Sequence, residues 1–418
     1  MCLTKFKNRV FPLIMLLLLV LISCGNGSKS KTEISQSPPE IKKTALKTQD
    51  TAIVVAANRT EAFLPFLKGK QVGIVANQTS VIFRRDKSYV HIVDSLLKLE
   101  VTVKKVYAPE HGFRGDADAG AVIKDGIDTK TKLPVMSLYG QNKKPSLKQL
   151  EGIDLMIFDL QDVGARFYTY ISTLHYMMEA CAEANIPLLI LDRPNPNARY
   201  IDGPILEADH QSFVGMHPIP VVHGMTIGEY AQMINGEKWL TNGIQCELAV
   251  IAVKNYKHNM PYSLPIKPSP NLPNDQAINL YPSLCFFEGT NVSVGRGTTQ
   301  QFQIFGSPFL DQTIYDFSFV PAPKSGASNP KHNGKQCYGM NLSHKEPLQR
   351  LDLSYLISAY QNSGDQATFF SAFFTKLAGT ETLQTQIIAG KTEEEIRASW
   401  KEGLIAFKTM RSKYLIYD

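Results

Sequence analysis

The residues whose types suit acid–base chemistry lie in four short segments, and each segment directly follows an apolar stretch of the sequence. The segments are Asn77-Gln78-Thr79, Pro109-Glu110-His111-Gly112, Asp159-Leu160-Gln161-Asp162 and Asp192-Arg193-Pro194-Asn195-Pro196. If the apolar stretches are parallel strands, ligands bind outside their carboxyl ends. Any one segment could be a helix cap or a turn, and for Asn77 alone we favour that interpretation. Four successive strand ends that carry acidic, basic and amide groups predict one site.

The apolar stretches are typical of buried strands that alternate with helices. Strands are predicted over 71–76, 101–108, 133–138, 153–160 and 187–192. Helices are predicted over 89–99, 168–184 and 226–235. Stretches such as 153–160 are nearly all apolar, as expected for a strand buried on both faces. The alternation predicts an α/β fold with a mostly parallel sheet.

Seven longer segments carry a resemblance to a known family. They are PEHGFRG (109–115), LPVMSLYG (133–140), FDLQDVGARFYTY (158–170), LDRPNP (191–196), HGMTIGEYA (223–231), PSPNLP (268–273) and FEGTNVSVGRGTTQQF (287–302). From about residue 70 to its end, the chain resembles the exo-β-N-acetylmuramidases of the NamZ type. The resemblance implies a glycoside hydrolase that removes N-acetylmuramic acid from the non-reducing ends of peptidoglycan fragments. Muropeptides and disaccharides of N-acetylmuramic acid and N-acetylglucosamine are therefore the expected partners.

The resemblance also implies a Rossmann-like catalytic domain joined to a smaller C-terminal domain, with the active site in the cleft between them. We assign residues 51–247 to the catalytic domain and 248–418 to a mixed α+β auxiliary domain that completes the cleft. A strand predicted over 247–253 begins the second domain, and helical patterns follow at 351–361, 368–377 and 393–410. The 368 residues from 51 to 418 are enough for two domains.

Glu110 is the predicted general acid. Glycosidic hydrolysis needs a protonated group at the leaving oxygen, and a glutamate held partly out of water would keep its proton near neutral pH. An ion pair with Arg114 would oppose this, and a turn glutamate that faces solvent is the alternative. His111 and Arg114, which follow Glu110 in the sequence, are predicted to contact the substrate.

Asp162 and Glu288 are the candidates for the second catalytic group. Asp162 could instead pair with Arg166, four residues further along. The acetamido group of the sugar could also act as an internal nucleophile, and a carboxylate would then only orient it. The residues alone leave these routes open.

The lactyl ether distinguishes muramic acid from N-acetylglucosamine, and its carboxylate calls for an arginine that can bind both oxygens. Arg296 lies in the glycine-rich stretch 289–299 and is one candidate; Arg166 and Arg193 are the others. That stretch does not complete GxGxxG, because Gln300 stands in place of the third glycine. The remaining predicted substrate-binding residues are Asn77, Asp159, Tyr168, His223 and Asn291. For His223, a loop histidine with satisfied hydrogen bonds is equally plausible.

No metal or other cofactor is predicted, because the chain has no HExxH and no Cys/His cluster with metal-ligand spacing. A lipoprotein that binds muropeptides without cleaving them is the alternative function. An acyl hydrolase is disfavoured because no GxSxG occurs.

The N-terminus has the pattern of an export signal with a lipid attachment point. Residues 1–23 combine three basic residues with a 13-residue apolar run, too short to span a bilayer and typical of a signal peptide. The sequence LISC at 21–24 resembles a lipobox, which predicts lipidation at Cys24 and attachment to a bacterial membrane. Residues 24–50 are predicted to be a flexible tether. Residues 1–50 carry five of the six net positive charges, so the nearly neutral remainder disfavours nucleic-acid binding.

Overall fold

The computed structural model describes residues 51–115 and 125–418. The predicted signal peptide, Cys24 and the predicted tether lie outside the described residues. Thr51–Asp418 forms one compact unit. Within the part of the chain that the structure describes, no helix has the length and apolar character needed to cross a membrane.

The described residues contain twelve strands and ten α-helices. The strands are β1 (Gln71–Ala76), β2 (Val81–Phe83), β3 (Tyr89–His91), β4 (Thr102–Ala108), β5 (Gly126–Ile127), β6 (Pro134–Ser137), β7 (Leu155–Asp159), β8 (Leu188–Leu191), β9 (Leu248–Ile251), β10 (Ile304–Ser307), β11 (Phe317–Phe319) and β12 (Cys337–Asn341). The helices are α1 (Thr60–Leu67), α2 (Ile92–Lys98), α3 (Leu147–Leu150), α4 (Tyr170–Ala184), α5 (Ile227–Gly236), α6 (Asp275–Leu284), α7 (Ser354–Gln361), α8 (Phe374–Ala378), α9 (Thr382–Ile388) and α10 (Glu393–Arg411).

The largest sheet has seven strands in the order β5-β6-β4-β1-β7-β8-β9. The pairs β6–β4, β4–β1, β1–β7, β7–β8 and β8–β9 are all parallel, and only the short edge strand β5 is antiparallel to its neighbour. Numbered along the chain, the six parallel strands follow the order 3-2-1-4-5-6 of a doubly wound, Rossmann-like sheet. The predicted fold class is therefore confirmed.

Side chains of the central strands alternate between two buried layers, as successive residues of a strand must. In β7, Leu155 and Ile157 pack with residues of α1 and α2, whereas Met156 and Phe158 pack with residues of α4 and α5. Both faces of the sheet are therefore covered by helices. This explains why the strand sequences are apolar runs and not alternating patterns.

Three predicted elements differ from the structure. The helix predicted over 368–377 is limited to α8 (Phe374–Ala378). Tyr89–His91 forms β3, a short strand paired antiparallel with β2, so the helix predicted from residue 89 begins only at Ile92. Leu248–Ile251 pairs in parallel with β8, so this strand is the edge of the large sheet and does not begin a second domain. The boundary placed at 247/248 thus falls one strand too early, because an edge strand joins its sheet by long-range pairing that local sequence does not reveal.

The second half of the chain contains a three-stranded antiparallel sheet in the order β10-β12-β11, together with α6 to α10. Its buried side chains, such as Phe286, Phe305 and Trp400, belong to the same hydrophobic cluster as Phe158 and Tyr230 of the first half. The two halves therefore share one continuous core.

Arg166 connects the two halves of the chain. Its guanidinium is fully buried and donates hydrogen bonds to the backbone oxygens of Pro204 and Ile219 at 2.8 and 2.7 Å. It also donates to Leu377 and Ala378, at 3.0 and 2.6 Å, at the end of α8. Among the described residues, four carbonyl groups and no carboxylate accept hydrogen bonds from this cation. Burial lowers the pKa of Arg166 to about 9, which still leaves it charged at neutral pH. Arg166 thus ties α8 to the first half, and the structure does not support its predicted role in binding substrate or pairing with Asp162.

We expect Arg166→Met to lower the free energy of unfolding by about 3 kcal/mol or more, because four buried carbonyl groups lose their donor. Urea unfolding followed by circular dichroism measures this. Arg85→Met is the matched control, since Arg85 is exposed, and it should change the free energy by less than about 0.5 kcal/mol. Equal stability of both variants would contradict the bracing role.

Candidate active-site cleft

A cleft of about 500 Å³ lies between the carboxyl ends of β4 and β6 and the second half of the chain. This volume falls in the range of small-molecule sites. The first half contributes Glu110, Tyr139, Phe167, Thr169 and Val214. The second half contributes Tyr281, Cys285, Glu288, Arg296, Gly326, Ala327, Ser328, Asn329, Pro330, Lys331, Phe373 and Leu377. Three residues predicted from sequence, Glu110, Glu288 and Arg296, therefore share one cleft.

Glu110 is placed by the end of β4 and by two hydroxyl groups. One carboxylate oxygen accepts a hydrogen bond from the Thr169 hydroxyl at 2.9 Å, just before α4 begins. Tyr139 follows β6, and its hydroxyl group also forms a hydrogen bond with the Glu110 side chain. His111 then turns the chain with a φ of +71°, an uncommon conformation for a residue with a Cβ. Glu110 is half-buried, and these contacts hold its side chain in the cleft wall.

Tyr139 and Thr169 are functional candidates that the sequence analysis did not single out. Burial, together with the neighbouring Glu110 carboxylate, raises the pKa of Tyr139 above its usual value. The phenol therefore remains protonated and can donate to Glu110. Since Tyr139 directly follows the β6 region, the rule that ligands bind at carboxyl ends of strands could have identified it.

Glu288 and Arg296 form a two-point ion pair in the cleft. Arg296 Nε donates to one Glu288 oxygen at 2.6 Å, and Nη2 donates to the other at 2.8 Å. Burial opposes the charge, but Glu288 raises the pKa of Arg296 above its ordinary value. The Nη1 group of Arg296 makes no hydrogen bond to the described residues. One edge of the guanidinium is thus fixed by Glu288, and the other remains available to an anion.

Lys331 adds a second cation to the cleft wall. Its ammonium group donates to the backbone oxygens of Phe287 at 3.1 Å and Val292 at 3.2 Å, and also to that of Thr290. Burial lowers the pKa of Lys331 to about 8, with Arg296 contributing in the same direction. Its main task is to hold the turn that carries Glu288. It lies in an irregular segment, where no strand or helix pattern could have indicated it.

A smaller recess of about 50 Å³ also contains Glu110 and Arg296. His111 and Tyr168 line this recess, as their predicted substrate contacts require. The Tyr168 hydroxyl donates to the Pro268 oxygen at 2.9 Å, so Tyr168 also positions the PSPNLP segment. These two predicted residues therefore lie at the site.

Three other predicted binding residues do not line the cleft. Asn77 is buried in a turn and donates to the Tyr170 hydroxyl at 2.7 Å, the structural role favoured for it. Arg114 pairs with Asp128 at 2.9 Å and Asp94 at 3.5 Å, so Asp128 and Asp94 occupy the guanidinium that could have opposed Glu110. Asn291 donates weakly to the Asp365 oxygen at 3.4 Å.

Asp159 and Arg193 likewise do not line the cleft, because they satisfy each other in the interior. Arg193 Nε and Nη2 donate to the two Asp159 oxygens at 2.6 and 2.9 Å. Both residues are buried. A buried carboxylate such as that of Asp159, at the end of β7, needs a charged partner. Arg193, which follows β8, is that partner.

Asp162 and His223 form a second buried pair away from the cleft wall. His223 Nε2 lies 3.8 Å from Asp162 Oδ2, which accepts a hydrogen bond from the Gly164 amide at 2.7 Å. Burial raises the pKa of Asp162 to about 7 and lowers that of His223 to about 3. A second catalytic role for Asp162 is not supported, because its carboxyl group is enclosed and does not line the cleft.

Comparison with known proteins decides the family. The N-terminal model of the exo-β-N-acetylmuramidase NamZ matches residues 72–276, and its C-terminal model matches residues 279–417. The chain belongs to the NamZ family. Its two family models meet close to α6, after the last strand of the large sheet.

Relatives of this NamZ-family chain agree with the assignment. It is 40% identical over 371 residues to the peptidoglycan β-N-acetylmuramidase NamZ of Bacillus subtilis, covering 84% of this chain and 88% of that protein. A DUF1343-family structure from Bacteroides fragilis is 44% identical with a TM-score of 0.81, and a second from the same organism is 27% identical with a TM-score of 0.74. Each comparison covers 88% of this chain and 99% of the other.

Replacing Tyr139 with Phe should lower kcat on a muramic acid glycoside by about tenfold, because the Glu110 carboxylate formed on proton transfer loses a hydrogen-bond donor. Steady-state kinetics on a chromogenic glycoside measure this. Tyr176→Phe is the control, because Tyr176 stacks nearby on Phe213 without contacting Glu110 in the described contacts. An unchanged kcat would mean that the Tyr139 hydroxyl does not support the Glu110 carboxylate.

Asp162→Asn should alter how stability depends on pH. In the wild type, Asp162 binds its proton in the folded state up to about pH 7, but in the unfolded state only up to about pH 4. Between these values its contribution to stability falls as pH rises, by about 1.4 kcal/mol per pH unit. The unfolding free energy of the variant minus that of the wild type should therefore rise over this interval. Asp316→Asn, at an exposed position, should give a flat difference, and a flat difference for Asp162→Asn would show that the buried carboxyl is ionised.

Proposed function

We propose that this protein is an exo-acting glycoside hydrolase that removes N-acetylmuramic acid from the non-reducing ends of peptidoglycan fragments. One observation carries the proposal: both halves of a NamZ-family chain supply a single cleft that contains Glu110 and Arg296. The named activity of the Bacillus subtilis relative, a peptidoglycan β-N-acetylmuramidase, supports it.

Glu110 is the proposed general acid. Protonation of the leaving oxygen turns the carboxyl group into a carboxylate, which the hydroxyl groups of Tyr139 and Thr169 can stabilise. The same two bonds restrict the rotation of the side chain. This fixed placement is what proton transfer to one oxygen atom of the substrate requires.

Arg296 is the proposed contact for the lactyl carboxylate. The free Nη1 edge offers two N–H donors, and Glu288 fixes the orientation of the guanidinium plane. N-Acetylglucosamine lacks the lactyl carboxylate, so it would leave Arg296 without its ligand. Arg296 therefore accounts for selectivity between the two sugars.

We propose that Glu288 positions Arg296 and does not attack the anomeric carbon, because both of its oxygens accept hydrogen bonds from the guanidinium. A second group must still stabilise the anomeric carbon. Hydrolases that use the acetamido group of their own substrate as nucleophile are a recognised exception to the two-carboxylate scheme. That route is compatible with a cleft in which Glu288 is ion-paired.

Export and lipid attachment at Cys24 complete the proposal. The basic leader, the short apolar run and the lipobox-like LISC support delivery to a bacterial membrane, where a tether over 24–50 would leave the enzyme in contact with cell-wall fragments.

The decisive comparison uses two chromogenic substrates, a β-N-acetylmuraminide and the matching β-N-acetylglucosaminide. The folded protein should release the chromophore from the first at least tenfold faster than from the second, a difference of about 1.4 kcal/mol, because only the first carries a partner for Arg296. Binding of N-acetylmuramic acid without any release of chromophore would instead favour the non-catalytic, muropeptide-binding alternative.

Glu110→Gln belongs to the same experiment. It should lose far more activity on a glycoside with a poor leaving group than on one with an activated leaving group, because only the poor one needs protonation. Equal losses on both would remove Glu110 from the role of acid.

A further inference from the structure

One large apolar side chain is exposed at the cleft. Phe373 is 43% exposed, whereas Phe167 and Tyr281 of the same cleft are 3% and 7% exposed and Tyr139 is half-buried. Among the described residues, Phe373 is the one exposed large hydrophobic residue that lines this cleft. Tyr281 and Phe167 thus mark the enclosed end, and Phe373 marks the mouth.

The backbone on both sides of Phe373 is fixed. Ser371 donates to the Gly289 oxygen through its amide and its hydroxyl, at 2.9 and 3.0 Å. Phe374 is buried and packs so closely on Gly289 that a Cβ there would collide with its backbone. Since Gly289 adjoins Glu288 in the chain, Phe373 keeps a constant position relative to the Glu288–Arg296 pair.

Phe373 directly precedes the short helix α8, and the C-terminal end of α8 is also anchored. Arg166 holds the carbonyl groups of Leu377 and Ala378, at the end of α8. Phe374 is buried, and its ring centroid lies 4.5 Å from that of Phe370. The backbone that carries the exposed phenyl ring is therefore anchored on both sides.

Other parts of the cleft mouth are polar. Ser328 and Asn329 are exposed and line the same cleft as Phe373. A pyranose has C–H groups on its ring faces and hydroxyl or acetamido groups at its edge. An aromatic face combined with a few polar side chains matches that distribution.

We propose that Phe373 forms the binding site for the second sugar of the glycan, the N-acetylhexosamine that leaves when the terminal unit is removed. The inference rests on the proposed exo-muramidase function. If the terminal sugar fills the enclosed end beside Arg296, the rest of the glycan must pass through the mouth. There the ring of the second sugar packs on the exposed phenyl face, which contributes to binding of the leaving unit.

Two substrates separate this role from others. One is the disaccharide of N-acetylmuramic acid and N-acetylglucosamine; the other is N-acetylmuramyl fluoride, whose leaving group has no ring to pack on Phe373. We expect Phe373→Ala to lower kcat/KM for the disaccharide about tenfold more than for the fluoride, mainly through KM. Phe373→Trp should restore most of the loss.

Phe66→Ala is the matched control, because Phe66 on α1 is 47% exposed and does not line the cleft. It should affect both substrates equally and only slightly. Equal losses of Phe373→Ala on both substrates, or no loss on either, would overturn the assignment. A wild-type protein that hydrolyses neither substrate would overturn the proposed function itself, which distinguishes the two failures.

Discussion

Burial of both faces of the large sheet is the constraint on which the rest of the structure depends. Helices cover the two faces of β7 and its neighbours, so polar side chains can reach solvent only where the parallel strands end. Glu110 follows β4 and Tyr139 follows β6, which brings them together although 29 residues separate them in the chain. The second half closes the cleft by sharing the hydrophobic core of the first half, and not by packing as a separate body.

Charged residues in this fold divide into those that support the interior and those that face the cleft. Asp159 and Arg193 neutralise each other beneath the strand ends, and Nη1 and Nη2 of Arg166 donate to four carbonyl groups. Removing the partner of a buried charged group destabilises the folded protein. We therefore assign these residues a role in stability and not in catalysis. The Glu288–Arg296 pair differs, because it is partly exposed and one guanidinium edge makes no hydrogen bond to the described residues. A bound carboxylate would complete the coordination of that edge.

Most of the large sheet could be predicted from the sequence, because strands buried on both faces are continuous apolar runs. The predictions misplaced Tyr89–His91 and Leu248–Ile251, whose strand pairing depends on partners elsewhere in the chain. Within the site, the strand ends indicated Glu110, and the need for a cation at the lactyl carboxylate made Arg296 one of three candidates. The sequence does not show which polar side chains are buried. Asp162 and Arg166 are residue types suited to a site and lie in a family motif, but their side chains point into the core. Lys331 lies in an irregular segment that carries no periodic signal. Phe373 falls within the helical pattern over 368–377, and that pattern does not indicate a binding role.

The proposed activity requires the terminal sugar to lie between Glu110 and Arg296. A crystal structure with N-acetylmuramic acid bound tests this arrangement most directly. We expect the lactyl carboxylate within hydrogen-bonding distance, about 3 Å, of Arg296 Nη1, and the anomeric hydroxyl at a similar distance from the Glu110 carboxyl group. A sugar whose lactyl group faces solvent, or whose anomeric carbon lies out of reach of Glu110, would contradict it.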